Sequence, residues 1–362
     1  MVNKMIDNRP KILLTLTVGG ENGGPYTSHR RIIESELSEK YHLSPLMIPK
    51  ANQLRKPKIF FSIIKKIKVE HPDLVQITGL QLEGFFMMLA CRVAKVKTLV
   101  VVHGSSMDAI GIAGWKKIVL KKLERYTIKH ETKIYGVSDF VSSWERLKNA
   151  KNYFGTIYNL PEKNNESKTS ISNLRDKLGF SKDDIIVVST GRITKDKGYD
   201  IFWDAIQKIG KAKKIKYVIA GDGDYKGEWE KEIFEKDYQD QVFLLGFRQD
   251  IDNILSVADI FMICSKHETL CISVLEAAMH SLPIIATNTG GIPEIVGKED
   301  GILVENGDIA GFSKAIQTLV NNPDLRKRMG NQLHQKVLKK FDRKNILRRL
   351  NTVYYESINL SR

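Results

Sequence analysis

Two clusters of charged residues in the second half of the chain have the types and spacing of a ligand site. Gly191-Arg192-Ile193-Thr194-Lys195-Asp196-Lys197-Gly198 follows an apolar run and precedes an amphipathic segment. If the run is a parallel strand, Arg192 and Lys197 stand at its carboxyl end, where open α/β sheets bind ligands. Two cations there neutralise a diphosphate and stabilise the charge that grows as it leaves. A strand-to-helix turn with solvated lysines fits the same spacing equally well. Further on, the stretch from Ser265 to Glu276 places Glu268 and Glu276 eight positions apart. With a helix starting at Cys271 or Ile272, Glu276 lies just over one turn in and Glu268 in the loop before it. The helix start then offers free N–H groups to an anion. Carboxylates suit sugar and ribose hydroxyls through charge-assisted bonds. An acidic residue near a helix start also complements the dipole, and spacing alone does not choose.

The first half carries weaker signals. The glycine-rich stretch Gly19–Gly24 directly follows the first apolar run, which suits either a phosphate contact or a loose turn. It is not G-x-G-x-x-G, so a dinucleotide fingerprint is not supported. His103 ends the apolar run Thr98–Val102. A lone histidine at a strand end usually serves a local hydrogen bond.

These residues need a scaffold, and the hydrophobic pattern supplies one. Apolar runs at Lys11–Val18, Leu74–Thr78, Thr98–His103 and Lys133–Val137 alternate with helix-period segments. Residues Pro161–Ser172 are polar and aperiodic and read as a linker. The alternation restarts with Ile185–Gly191, Lys216–Gly221, Val242–Gly246, Asp259–Cys264, Pro283–Thr287 and Gly301–Val304, and Pro323–Ile358 is helical throughout. Strands alternating with helices predict parallel sheets covered on both faces. At 362 residues the chain exceeds one comfortable core. The expected class is α/β with two Rossmann-like doubly wound domains facing across a cleft, over residues 1–160 and 173–344. A final helix, 345–362, is expected to cross back onto the first domain.

Composition bounds the function. Cys91, Cys264 and Cys271 are scattered, with no C-x-x-C pair and no metal-ligand spacing. A reducing compartment is expected, without a disulfide framework or structural zinc. The polar start, Met1 to Lys11, predicts no signal peptide, and the apolar runs are too short to span a bilayer. The net charge of +15 is uneven: Met1–Leu160 holds 26 Lys/Arg against 13 Asp/Glu, the remainder 31 against 29.

The ordered series GRITKDKGYD, IAGDGD, FLLGFRQDIDNILSVADIFMICS, ETLCISVLEA, PIIATNTGGIPEIV and GILV, covering nearly all of Ile185–Asn306, resembles the donor half of glycosyltransferase family 4. These are retaining, metal-independent enzymes of the GT-B architecture that use nucleotide sugars. The first half matches more loosely, through Gly23-Gly24, His103-Gly104 and Val137-Ser138. The resemblance implies that Arg192 and Lys197 grip the donor diphosphate, Glu268 holds the transferred sugar and Glu276 holds the ribose. The amides of Leu270, Cys271 and Ile272 would lie against sugar and phosphates. His103 matches the histidine that approaches the donor sugar, and Gly23 or Gly24 would let the first loop pass close to the diphosphate. Leu270-Cys271 stands where the family commonly has Phe-Gly, and a Cys side chain there narrows the sugar pocket. Asn159-Leu160-Pro161 replaces the usual Asn-Gly turn.

Two basic segments account for much of the first half's charge. Lys116–Lys133 reads as an amphipathic helix with Val119, Leu123 and Tyr126 on one face. Leu54–Lys68 sets six cations around Phe60, Phe61, Ile63, Ile64 and Ile67, whose aromatics read as core. Basic residues near an anionic bilayer contribute up to about 1 kcal/mol each. No nucleic-acid module accompanies them, so no nucleic-acid partner is expected. The expected function is transfer of a sugar from a nucleotide-diphosphate donor, UDP favoured, to a glycan or polyprenyl-diphosphate-linked acceptor in cell-surface polysaccharide assembly. No cofactor or metal is expected, and the location is cytoplasmic, peripheral at the inner face of the membrane. The loop Ser105–Trp115 carries no acceptor motif. Rival readings are a nucleotide-sugar epimerase or sugar phosphorylase on the same fold, and a non-catalytic basic binding protein.

Overall fold

The computed structural model describes residues 8–20, 23–105, 114–162 and 173–360. Most of the Pro161–Ser172 linker and residues 106–113 of the Ser105–Trp115 loop lie outside the described residues, as do residues 1–7 of the polar start. Two compact units emerge: Met1–Leu160 with Arg343–Arg362 (unit 1), and Pro161–Asp342 (unit 2).

Unit 1 is built on a six-stranded sheet in the order β2-β1-β3-β4-β5-β6. The strands are β1 Lys11–Thr17, β2 His42–Ile48, β3 Leu74–Thr78, β4 Lys97–Val102, β5 Lys133–Gly136 and β6 Tyr153–Thr156, all paired parallel. β1, β3 and β4 are mostly apolar and buried along nearly their whole length because helices cover both of their faces. The edge strands β2 and β6 have no such run and were not expected. β2 buries only Leu46 and Ile48 and contains Pro45, tolerated at an edge where no partner needs its N–H. The last helix, Arg343–Asn359, closes unit 1 by burying Ile346, Leu350, Val353 and Tyr354 at helical spacing. Burying side chains of this size contributes about 1.5–3 kcal/mol each. The Tyr354 ring meets Tyr41 edge-on at 5.4 Å, and Lys133 pairs with Glu356 at 3.0 Å.

The helix Gly114–His130 departs from the expected facing. Its inward residues are Glu124, Thr127 and Ile128, whereas Trp115, Ile118, Val119 and Tyr126 are exposed. The buried Glu124 carboxylate explains the rotation: it accepts from Ser105 Oγ at 2.6 Å and pairs with Arg146 at 3.5 Å. In the helix Pro57–Glu70, Ile63, Ile64 and Ile67 are buried, but Phe61 is 64% exposed and is not core.

Unit 2 repeats the design with β7 Ile185–Thr190, β8 Ile215–Ala220, β9 Val242–Leu244, β10 Ile260–Ile263, β11 Ile284–Thr287 and β12 Ile302–Val304. Their order is β12-β11-β10-β7-β8-β9. Strand order therefore reverses between β7 and β10, the switch point where open sheets leave a crevice at the carboxyl ends. Its core is aromatic, with Tyr199, Phe202, Trp203, Tyr217 and Trp229 buried together.

The helix Ile272–Met279 after β10 is seated on the helix Pro323–Lys340. Gly330 permits the contact, since a Cβ there would overlap the Ser281 carbonyl. His334 Nδ1 lies 3.2 Å from the Ala278 carbonyl oxygen. Gly330→Ala should destabilise unit 2 by roughly 1–3 kcal/mol, the usual range for overpacking, and lower the thermal midpoint. An unchanged midpoint would show that this seat is soft.

Candidate active site

In unit 2 the loops after β7 and β10 meet at the switch point because two glycines let main chain lie on main chain. Gly198, at φ +71°, ends the short 3-10 helix Lys195–Lys197 and starts the helix Tyr199–Ile209. A Cβ at Gly198 would overlap the Cys264 carbonyl. Gly290, at φ +54°, lies in the same way against the Glu268 carbonyl, and Gly291 N–H donates to that oxygen at 3.2 Å. Only glycine combines that backbone region with the absent side chain.

This convergence brings Lys197 and Glu268 together, Nζ to Oε1 at 2.7 Å. Ser265 Oγ donates to the same carboxylate oxygen at 2.9 Å. Burial works against the Lys197 ammonium, but the adjacent Glu268 carboxylate outweighs it, so Lys197 titrates above the ordinary lysine value. Arg192 points outward, 54% exposed, and pairs with Asp196 at 3.6 Å. An exposed pair of this kind contributes at most about 1 kcal/mol, which leaves Arg192 easily redirected. Lys266 is held by Asp200 at 2.6 Å, which fixes the loop after β10 to the helix after β7.

Leu270 and Cys271 are buried and Ile272 is half-buried. The helix Ile272–Met279 starts without a capping side chain and without an acidic residue in its first turn. A helix start of this kind, with no carboxylate or hydroxyl capping it, suits an anion. Glu276 sits on this helix, half-buried. Cys271 adopts the left-handed region, φ +70° and ψ 84°. Burial and the Glu268 charge push its thiol up to about 12, which keeps it neutral.

In unit 1, His103 stands at the carboxyl end of β4, and Gly23 caps the helix Gly24–Ile33 after β1, with Pro25 in the first turn. Glu21 and Asn22 of the glycine-rich stretch lie outside the described residues. The His103 ring faces the ring of His29 edge-on at 6.1 Å. Burial lowers His29 to about 4, and burial together with His29 lowers His103 to about 3, so both imidazoles are neutral at physiological pH. Asn159, at the altered turn, accepts from Ser28 Oγ at 2.9 Å.

Sequence reasoning did not single out Ser265, Gly290 or His29. The first two lie inside motifs noted above, but their roles are contacts between distant loops. His29 follows no apolar run, and nothing around it in the sequence marks it. Among the described residues no helix is long and apolar enough to cross a membrane.

Residues 170–336 match the family of glycosyl transferases group 1. The N-acetyl-alpha-D-glucosaminyl L-malate synthase of Bacillus anthracis is 24% identical over 264 residues, 72% of this chain and 68% of that protein. The lipopolysaccharide core biosynthesis glycosyltransferase LpsE of Rhizobium meliloti (strain 1021) is 28% identical over 173 residues, 48% of this chain and half the length of that relative. The crystal structure of Anabaena Alr3699/HepE in complex with UDP and glucose has a TM-score of 0.80 at 19% identity, covering 96% of this chain and 100% of that one. The two sheets are those of a GT-B fold.

The backbone at position 271 generates a prediction. A non-glycine residue in the left-handed region costs about 1–2 kcal/mol. Cys271→Gly should therefore be at least as stable as Cys271→Ala, reversing the usual order, by about 1 kcal/mol in denaturant unfolding. A clearly more stable alanine variant would show that position 271 is not strained.

Proposed function

We propose, from the match of residues 170–336 to the glycosyl transferases group 1, that this chain moves a sugar from a nucleoside diphosphate to an acceptor hydroxyl with retention. The observation that carries this reading is the Lys197–Glu268 pair at the switch point, beside a helix start with no capping side chain. Lys197 and Arg192 take the diphosphate, and the amides of Leu270, Cys271 and Ile272 line the sugar and phosphates. Glu268 accepts from sugar hydroxyls and Glu276 from the ribose. UDP is the nucleotide to test first, since HepE was solved with UDP and glucose.

In the reaction the bond from the anomeric carbon to the diphosphate oxygen breaks, and the acceptor oxygen bonds to that carbon on the same face. The acceptor proton passes to the departing phosphate. Arg192 and Lys197 stabilise the charge that accumulates on the leaving group, which is the largest single contribution available to such a site. His103 serves as a neutral imidazole that hydrogen-bonds the transferred sugar or stabilises developing positive charge through its carbonyl. Gly23 or Gly24 gives the first loop close approach to the diphosphate. Unit 1 takes the acceptor, a glycan or polyprenyl-diphosphate-linked glycan of cell-surface polysaccharide assembly, and unit 2 the donor.

Peripheral attachment to the inner face of the cell membrane gains support from the outward face of the helix Gly114–His130. Trp115 and Ile118 are 67% and 60% exposed there, among Lys116, Lys117, Lys121 and Lys122. Apolar side chains framed by lysines suit an anionic bilayer surface.

Lys197→Ala and Glu268→Ala should each lower turnover by about 10²-fold or more, with EDTA leaving the wild-type rate unchanged. Acceptor-dependent release of free nucleotide is the assay. Near-normal turnover in either variant refutes the site, and a strict magnesium requirement refutes the metal-free mechanism. For the membrane, wild type should co-sediment with anionic liposomes at low salt, and the double variant Trp115→Ser/Ile118→Ser should bind less. Failure of the wild type to sediment ends that proposal.

A further inference from the structure

A buried chain of polar side chains runs through unit 1 from the last helix to His103. Gln76 sits in the middle of β3, wholly buried between Val75 and Ile77. The Tyr354 hydroxyl lies 2.6 Å from Gln76 Oε1, and Gln76 Nε2 lies 2.9 Å from His29 Nε2. His29 Nδ1 in turn lies 2.9 Å from the Thr15 carbonyl oxygen. The rings of His29 and His103 lie edge-on, their centroids 6.1 Å apart. Gln76, His29 and Tyr354 have no exposed surface. Aliphatic side chains would fill the same space without the cost of removing polar groups from water, so a polar chain here calls for a reason.

The direction of every hydrogen bond follows from its end at Thr15. A carbonyl oxygen only accepts, so His29 Nδ1 carries the proton and donates. A neutral ring then has a bare Nε2, which takes a hydrogen bond from the Gln76 amide nitrogen. That places Gln76 Oε1 toward Tyr354, whose hydroxyl donates. With the amide reversed, its oxygen would face Nε2, and only a cationic His29 would satisfy it. A buried cation there is disfavoured, and it would also repel charge on the neighbouring His103 ring.

We infer that Tyr354, Gln76 and His29 are positioning residues for His103: the last helix fixes the amide, the amide fixes the tautomer and plane of His29, and His29 sets the ring against which His103 packs. This rests on the role given to His103 above. The lowered pKa values of both rings agree with a chain that keeps them uncharged.

Gln76→Glu and Tyr354→Phe test it in the full chain, with His103→Asn as the reference. Ring ¹⁵N signals of the histidines report tautomer and charge in the folded protein, whatever the activity. Gln76→Glu presents a carboxylate that accepts from Nε2–H, so His29 Nε2 should move from a bare to a protonated signal and His103 should shift with it. Tyr354→Phe should shift both rings. In steady state both variants should lose roughly ten- to a hundredfold in kcat, the scale of a small misplacement, with the KM for the nucleotide sugar unchanged. Unmoved ring signals overturn the inference, as does a loss of activity that only tracks the folded fraction. If His103→Asn turns over normally, the assignment of His103 fails instead, and that outcome is distinguishable because the ring signals are read independently.

Discussion

Unit 2 depends on main chain packed directly against main chain at the point where its strand order reverses. Gly198 against the Cys264 carbonyl and Gly290 against the Glu268 carbonyl draw the loops after β7, β10 and β11 into one place. A side chain at either glycine would hold the loops apart, and Lys197 would no longer reach Glu268. The charged groups are long and adaptable, whereas the backbone contacts are not. The site's geometry is therefore set by what is missing from two residues, and the cations and carboxylates follow from it.

The polar groups at the two candidate sites differ in kind. Unit 2 keeps formal charges, Lys197 with Glu268 and Lys266 with Asp200, each partly shielded from water and matched to an opposite charge. Such a set can exchange partners when a polyanionic ligand arrives, because each ion already has a compensating neighbour. Unit 1 instead holds two neutral imidazoles in its interior, where burial removes their capacity to ionise near neutrality.

Most of the sheet architecture was legible in the sequence because central strands are covered on both faces and so appear as largely apolar runs. β3 matches the run Leu74–Thr78 at both ends. The edge strands β2 and β6 escaped because their residues are largely exposed or half-buried, which leaves no apolar run to read. Motif order identified Lys197 and Glu268, but not that they form an ion pair, since the contact links residues 71 positions apart. The facing of Gly114–His130 was misread for a specific reason. Periodicity counts a glutamate as polar and outward, whereas Glu124 is inward and matched by Ser105 and Arg146. At Cys271 the departure from the familiar Phe-Gly pair was visible, and the structure adds that cysteine here takes a glycine's conformation.

The last helix has a consequence for how the protein is made. Unit 1 consists of residues at both ends of the chain, with the whole of unit 2 inserted between them. Val353 and Tyr354 fill its interior, and the Tyr354 hydroxyl completes the polar chain through Gln76. On a ribosome the first 160 residues emerge long before these do, at about 5–20 residues per second. Unit 1 must wait through synthesis of unit 2 with part of its core still open to solvent, while unit 2 has all its segments in hand. The amino-terminal unit is thus finished only after unit 2, and a chain cut before Val353 and Tyr354 lacks the piece that closes it.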